Sequence, residues 1–386
     1  MKVAPTFAVQ WFCGGWKFFP AMLEAIRQAR QRIELETYIF ADDQTGRRLL
    51  HALTETALKG VRVRVLADAY GSLMLSGGFF APLTAAGGEV HFFNPLRFGR
   101  FGVRDHRKLL VCDSHVVFIG GANVSDSYDG DGVTHGWFDL MARLESPELA
   151  ARLAAEFDRS FSNADFELRR LRKLRVFRQI RRAADDEPRI YAVKPGRGAG
   201  AFQRALQHEL VRAGSVDFIM PYLLPGGRLR KQLCQIVRRG GRVRLILPAH
   251  CDVPVARAAG LVYYARLLRA GVEIYEYQPQ ILHAKLYRVD EKVFAGSSNL
   301  DVRSFKLNYE LMLEFTDRAT MAGAKEIFSN ALKNSRRIQL KEFRRSQNFW
   351  QRWKTGWAHF LLARIDPLVA LRQLDAIPAR ALRPET

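Results

Sequence analysis

The chain has 386 residues, with 60 Lys or Arg against 39 Asp or Glu, a formal charge of +21. Hydrophobic residues at 48% and charged residues at 26% are those of a globular protein and exclude a disordered one. The charge calls for an anionic partner, nucleic acid or an anionic membrane surface, without choosing between them.

Other exclusions follow from pattern. Cys13, Cys112, Cys234 and Cys251 are too few and scattered for a disulfide scaffold, no CxxC pair suggests zinc, and reduced thiols are expected. No stretch approaches ~20 consecutive apolar residues, so no spanning helix is predicted. The N-terminal MKVAPTFAVQWFCGGWKFF has no continuous apolar core leading to a small-residue cleavage site and reads as mature protein.

In chain order, FFPAMLEAIRQARQ has the spacing of an amphipathic helix, followed by the strand candidate RIELETYIF. DQTGRRLLHALTETALKG reads as a second helix, stopped by glycine. GVRVRVLAD alternates and then turns apolar, as a strand entering a buried sheet does. GGEVHFFNP and RDHRKLLVCDSHVVFIGGANVS complete a first unit. The order then repeats: VDFIMPYLL, GGRLRKQLCQIVRRG, GRVRLILP, AGVEIYEYQPQ and ILHAKLYRVDEKVFAGSSNLD. The prediction is an α/β fold of two tandem units, each a mixed β-sheet flanked by helices. The first lobe is expected over 1–164, a basic helical linker over 165–188, the second lobe over 189–320 and a basic, aromatic-rich helical extension over 321–386. Residues 165–182 hold 8 basic and 2 acidic residues, and 321–386 hold 13 and 5, so most of the excess charge lies in these two segments. In the first, Leu168, Leu171, Leu174, Phe177 and Ile180 recur every three residues among arginines, as in a solvated interdomain helix or one lying on anionic lipid.

The sharpest signal is HRKLLVCD, with His106, Lys108 and Asp113, repeated as HAKLYRVD, with His283, Lys285 and Asp290. In an extended run, residues i and i+2 face the same way, so each His shares a pocket with its Lys. All three residues of each motif are expected in the catalytic set, each Asp mainly by tying down the following turn. GGAN and GSSN then bring Asn123 and Asn299 to where an amide approaches an oxyanion. Two such sets describe an anion pocket in which one imidazole attacks phosphorus and the other protonates the leaving alkoxide. Lysines and asparagines neutralise the phosphoryl oxygens. The inventory requires no metal and no cofactor. Asp139, in THGWFDLMARLE, and Glu310, in KLNYELMLEFT, recur at matching places and are expected to accept Nδ1–H from the catalytic histidines.

HRKLLVCD…GGAN and HAKLYRVD…GSSN resemble the duplicated signatures of the phospholipase D superfamily over roughly residues 15–316. IELETYIFADDQTG, MPYLLPGG and YYARLLRAGVEIYEYQPQILHAKLYRVD resemble its bacterial short-type cardiolipin synthase branch, which lacks N-terminal spans. The resemblance implies a bilobal, pseudo-twofold fold with the active site between lobes. It also implies metal-independent transfer through a phosphohistidine on His106, with His283 as acid and then base. Lys108, Lys285, Asn123 and Asn299 match the phosphate-binding positions. The implied reaction moves a phosphatidyl group from one phosphatidylglycerol to another, releasing glycerol, with phosphatidylethanolamine as a possible co-substrate. Phospholipid hydrolysis, a phosphodiester nuclease and a non-catalytic anionic-lipid binder are the alternatives.

The implied partners are an anionic phospholipid membrane and phosphatidylglycerol, with no nucleic acid and no obligatory protein partner. The implied place is peripheral, on the cytoplasmic side of the bacterial inner membrane. Candidate membrane contacts are Phe79, Phe80, Phe92 and Phe93, the last two in HFFNPLRFGR, and Trp350, Trp353 and Trp357 in the C-terminal segment. Leu73, Met74 and Leu75 belong with the first group, and Pro367 is expected to start a last helix.

Overall fold

The computed structural model describes residues 9–95, 102–164, 188–196, 199–346 and 349–362. The basic run 165–182, Leu96, Phe98, Pro367 and the side chain of Trp350 lie outside the described residues.

The first lobe opens with β1 (Val9–Cys13), α1 (Gly15–Gln28), β2 (Arg32–Thr37), α2 (Gln44–Leu58) and β3 (Arg62–Asp68). Then come α3 (Ala81–Ala85), β4 (Glu89–Phe93), β5 (Leu109–Cys112), β6 (Val116–Gly120), β7 (Leu140–Glu145) and α4 (Pro147–Ser162). The second lobe begins with β8 (Arg189–Val193), α5 (Ala201–Arg212), β9 (Ser215–Ile219), α6 (Gly227–Arg238), β10 (Arg242–Pro248) and α7 (Pro254–Arg269). It continues with β11 (Glu273–Tyr277), β12 (Leu286–Val289), β13 (Lys292–Gly296), α8 (Val302–Lys306), β14 (Glu310–Phe315) and α9 (Arg318–Lys333). The described chain finishes with β15 (Ser335–Arg337), α10 (Leu340–Ser346) and α11 (Phe349–Phe360).

Local chemistry sets these boundaries. The Asp43 carboxylate accepts from the Gly46 N–H at 2.9 Å and starts α2, whose Leu49, Leu53 and Ala57 turn inward. Ser146 caps α4 ahead of Pro147, and Asp317 caps α9 at the matching place.

The sheets run β1-β7-β6-β5-β2-β3-β4 and β15-β11-β10-β9-β12-β13-β14-β8. Both are mixed: β2, β3 and β4 pair in parallel, as do β9, β10 and β11, and the rest are antiparallel. The registers coincide: Ile33 faces Cys112 as Val216 faces Val289, and Gly120 faces Met141 as Gly296 faces Met312. Helices α1 and α2 cover the outer face of the first sheet over one core, and α5, α6 and α7 cover the second sheet over another. The inner faces share a third core, built from α4, α9 and residues of both sheets, Phe157, Phe328, Ile219 and Leu140 among them.

Two expectations change. The second lobe does not stop at 320: α9 lies in the shared core and β15 adds a strand beside β11, because Met321, Ala324, Ile327 and Phe328 form an apolar stripe. Of the predicted membrane contacts, Phe93 and Phe80 are core residues, 1% and 7% exposed, and Phe79 and Phe80 pack edge-on against Phe40. An apolar loop in a globular chain packs wherever a hydrophobic surface is in reach. Phe92, Leu73 and, at 90%, Met74 are exposed. Among the described residues no helix is long and apolar enough to cross a membrane.

Candidate active site

His106 and Lys108 lie in the extended run that leads into β5, and His283 and Lys285 in the run that leads into β12. Alternation puts each pair on one side, as expected, with Arg107 and Ala284 on the other. Lys108 Nζ donates to the His106 carbonyl at 2.7 Å, and Lys285 Nζ to the His283 carbonyl at 2.6 Å. Lys285 Nζ also lies 2.7 and 3.1 Å from the two ring nitrogens of His283.

The acids act across the lobes. His106 Nδ1 lies 3.0 Å from Glu310 Oε2, and His283 Nδ1 lies 2.7 Å from Asp139 Oδ2. Backbone pairing enforces the exchange. The His106 N–H donates to the Tyr309 carbonyl and the Tyr309 N–H to the Arg104 carbonyl, while the His283 N–H donates to the Phe138 carbonyl and the Phe138 N–H to the Ile281 carbonyl. Each histidine therefore sits beside the residue that precedes the other lobe's acid. With Nδ1–H given to a carboxylate, Nε2 is the nitrogen left for chemistry on each ring, that of His283 lying 3.1 Å from Lys285 Nζ.

Burial, then Lys108, Lys285 and His283, push the His106 imidazole well below its usual range. His106 thus feels groups from both lobes, and the two sets share one pocket. Burial and Lys285 lower His283 as well, against the pull of Asp139. Burial, then Lys285, brings Lys108 down to about 7, and burial lowers Lys285. The acids differ. Burial raises Glu310 to about 7 despite Lys108. Burial also opposes ionisation of Asp139, but Lys285 and the His283 hydrogen bond outweigh it and hold that carboxyl below its usual range.

GGAN and GSSN are matched to these acids. A Cβ on Gly121 would stand 2.3 Å from Asp139 Oδ1, so only glycine lets that carboxylate in. At the equivalent place Ser297 donates its hydroxyl to Glu310 Oε2 at 2.5 Å. Asn123 accepts from the Ile39 N–H and donates to the Tyr128 hydroxyl, while the buried carbonyl oxygen of the Asn299 side chain has no protein partner among the described residues.

Asp113 and Asp290 do not reach the pocket. They occupy the far ends of β5 and β12 in left-handed backbone, with φ of 53° and 46°. The Asp113 carboxylate accepts from the N–H groups of Arg30, Gln31 and Arg32, and Asp290 from those of Gly214 and Ser215. Each ties its hairpin to the start of the neighbouring strand rather than to its own turn.

Sequence reasoning missed the aromatic walls. Tyr38 packs edge-on to His106 with centroids 5.2 Å apart, and Tyr128 and Trp137 lie 5.4 and 5.6 Å from His283. Trp137 stands two residues before Asp139, so alternation gave a signal for it; Tyr38 and Tyr128 carried none.

Helix α11 packs on α7 through buried Thr355 and Ala358. Its other side carries Trp353 and Trp357, 52% and 54% exposed, with ring centroids 5.9 Å apart.

The family described as "Cardiolipin synthase, PLD-like domain" matches residues 22–161 and 207–332. A Salmonella typhi protein named cardiolipin synthase B is 30% identical over 94% of this chain and 89% of its own. An Escherichia coli protein of the same name is 33% identical over 80% of this chain and 76% of its own. Among solved structures, Haemophilus influenzae phosphatidylserine synthase superposes with a TM-score of 0.76 at 16% identity, covering 94% of this chain and 95% of that one. That likeness concerns the fold.

Proposed function

The chain belongs to the phospholipase D-like family matched above, and from that premise we propose that it is a cardiolipin synthase acting on phosphatidylglycerol. The carrying observation is the crossed pair of histidine–carboxylate contacts in one pocket with two buried lysines. Such a pocket takes a phosphodiester and provides two imidazoles whose Nδ1 atoms are held by carboxylates, which leaves the Nε2 side of each ring for chemistry.

The two acids separate the roles. His106, depressed by burial and then by Lys108, Lys285 and His283, and facing a carboxyl raised to about 7, stays neutral and serves as the nucleophile. His283, against the ionised Asp139, is the better holder of a proton and serves as the acid. His106 Nε2 attacks phosphorus, the bond to glycerol oxygen breaks, and His283 passes its proton to that oxygen. The hydroxyl of a second phosphatidylglycerol then gives its proton to His283 and attacks phosphorus, breaking the P–N bond. Lys108 and Lys285, with Asn123 and Asn299 beside them, stabilise the phosphoryl oxygens. The partner is an anionic membrane on the cytoplasmic side of the bacterial inner membrane, approached peripherally through the exposed Trp353 and Trp357 face.

Labelled phosphatidylglycerol in mixed micelles tests this, with lipid products and glycerol measured together. Cardiolipin with equimolar glycerol is expected, and phosphatidic acid alone would replace synthesis with hydrolysis. His106→Ala and His283→Ala should each lower turnover by about 10³-fold or more with the fold intact. Full activity in either variant refutes the two-histidine mechanism.

A further inference from the structure

The pseudo-twofold relation between the lobes breaks in the buried region directly behind His106. The matching registers and helix caps pair each residue of one inner core with a residue of the other. On that correspondence Glu36, Asp105 and Arg107 stand where the second lobe has Ile219, Leu282 and Ala284. Glu156 and Ser160 of α4 stand where α9 has Ile327 and Ala331. All five second-lobe residues belong to the shared apolar core. The first-lobe residues are as deeply buried, Arg107 and Glu36 with no exposed surface at all.

The charged set is built around Arg107. Its guanidinium donates to Ser160 Oγ at 3.0 Å and lies 3.8 Å from Glu36 and 3.9 Å from Glu156. Asp105 accepts from the Arg107 N–H at 3.2 Å, while its own N–H donates to Asp68 Oδ2 at 2.8 Å. Burial and the facing Glu36 push the Asp105 carboxyl well above its usual range.

Stability alone does not call for such a set. Buried ion pairs are commonly replaceable by apolar side chains without loss, and the second lobe shows the same architecture filled that way. Beyond the core, the charged set touches the segment that carries His106 and the segment that carries its acid. Asp105 and Arg107 flank His106 in sequence, and the Arg107 guanidinium lies 5.4 Å from the Tyr309 ring centroid, next to Glu310. In the second lobe Leu282 and Ala284 flank His283 against Phe138 with no charge involved.

We propose that Glu36, Asp105, Arg107 and Glu156 form a positioning set that fixes His106 against Glu310 and commits it, rather than His283, to covalent attack on phosphorus. This rests on the phosphohistidine reading above. It gives the two near-identical motifs different jobs through residues that touch no substrate.

The test installs the second lobe's residues in the first, in the full chain: Glu36→Ile, Asp105→Leu, Arg107→Ala, Glu156→Ile and Ser160→Ala together. Melting temperature, kcat and KM are measured, and acid-quenched enzyme turned over on phosphatidyl-labelled phosphatidylglycerol is mapped for the labelled histidine. The expected result is cooperative melting at or above the wild-type temperature, unchanged KM, kcat down by about 30-fold or more, and label lost from His106. Wild-type kcat with wild-type labelling overturns the proposal. If the graft does not melt cooperatively, Arg107→Lys decides, since it keeps the buried charge but loses the planar fork that spans two acids. Its kcat should fall at least about fivefold at constant KM, and wild-type kcat again overturns the proposal. Wild-type enzyme labelled on neither histidine would instead sink the functional reading, which is a different result.

Discussion

Burial raises Glu310 from an ordinary carboxyl range to about 7, and this side chain contributes its own pH dependence to stability. Below about pH 4 it is protonated in both folded and unfolded chains and carries no penalty. As pH rises toward 7 the unfolded chain has released that proton and the fold has not, so stability falls; above 7 the whole cost is present. Glu310→Gln removes the titration. The melting-temperature difference, variant minus wild type, should therefore be more positive at pH 8 than at pH 5, by calorimetry in matched buffers. An equal difference at both values would mean that the fold does not hold Glu310 protonated. Asp139 has the same task on the other histidine, but Lys285 lies closer to it in effect and keeps it ionised. The sequence made both acids visible because each recurs after an aromatic residue. It did not show which histidine each serves, since that depends on backbone pairing between segments 204 and 144 residues apart.

At the scale of elements, the aspartates that complete the two repeated motifs belong to the hairpins rather than to the chemistry. The β5–β6 turn is held by Asp113 on three backbone N–H groups at the end of α1 and the start of β2, and the β12–β13 turn by Asp290 on two. Asp113→Asn keeps the size and the left-handed preference but loses the charge-assisted acceptor. It should cost about 1–3 kcal/mol of stability, with kcat per folded molecule within about twofold of wild type. Denaturant melts and active-site-normalised rates measure the two quantities, and a large fall in kcat would return Asp113 to the catalytic set. The expected elements were largely legible: β2, α2, β3, β4, α6, β10 and β11 fall within the stretches marked by periodicity and glycine stops. Phe80 and Phe93 were misplaced for a physical reason. An apolar loop side chain looks the same in sequence whether it meets lipid or another part of its own fold.

Over the whole molecule, two sheets share one inner core and expose one aromatic helix face at the C-terminal end of the described chain. Thr355 and Ala358 face α7, which leaves Trp353 and Trp357 outward beside Phe360. Replacing both tryptophans by Ser should lower partitioning to vesicles containing phosphatidylglycerol by on the order of tenfold in co-sedimentation. Turnover of a monomeric short-chain phosphatidylglycerol should stay within about twofold. Unchanged partitioning would move membrane contact to another surface, such as Leu73 and Met74.

The amino-acid sequence alone determined the duplicated α/β architecture, the two His–Lys pairs and the anionic character of the partner. Those properties are written in local periodicity, repetition and composition, which need no knowledge of distant contacts. The tertiary structure decided what depends on which segments meet: acids exchanged between lobes, aspartates that brace hairpins, phenylalanines drawn into the core, and a buried charge set behind one histidine only. A linear repeat presents its two copies as equivalent. Only packing against different neighbours makes His106 and His283 different.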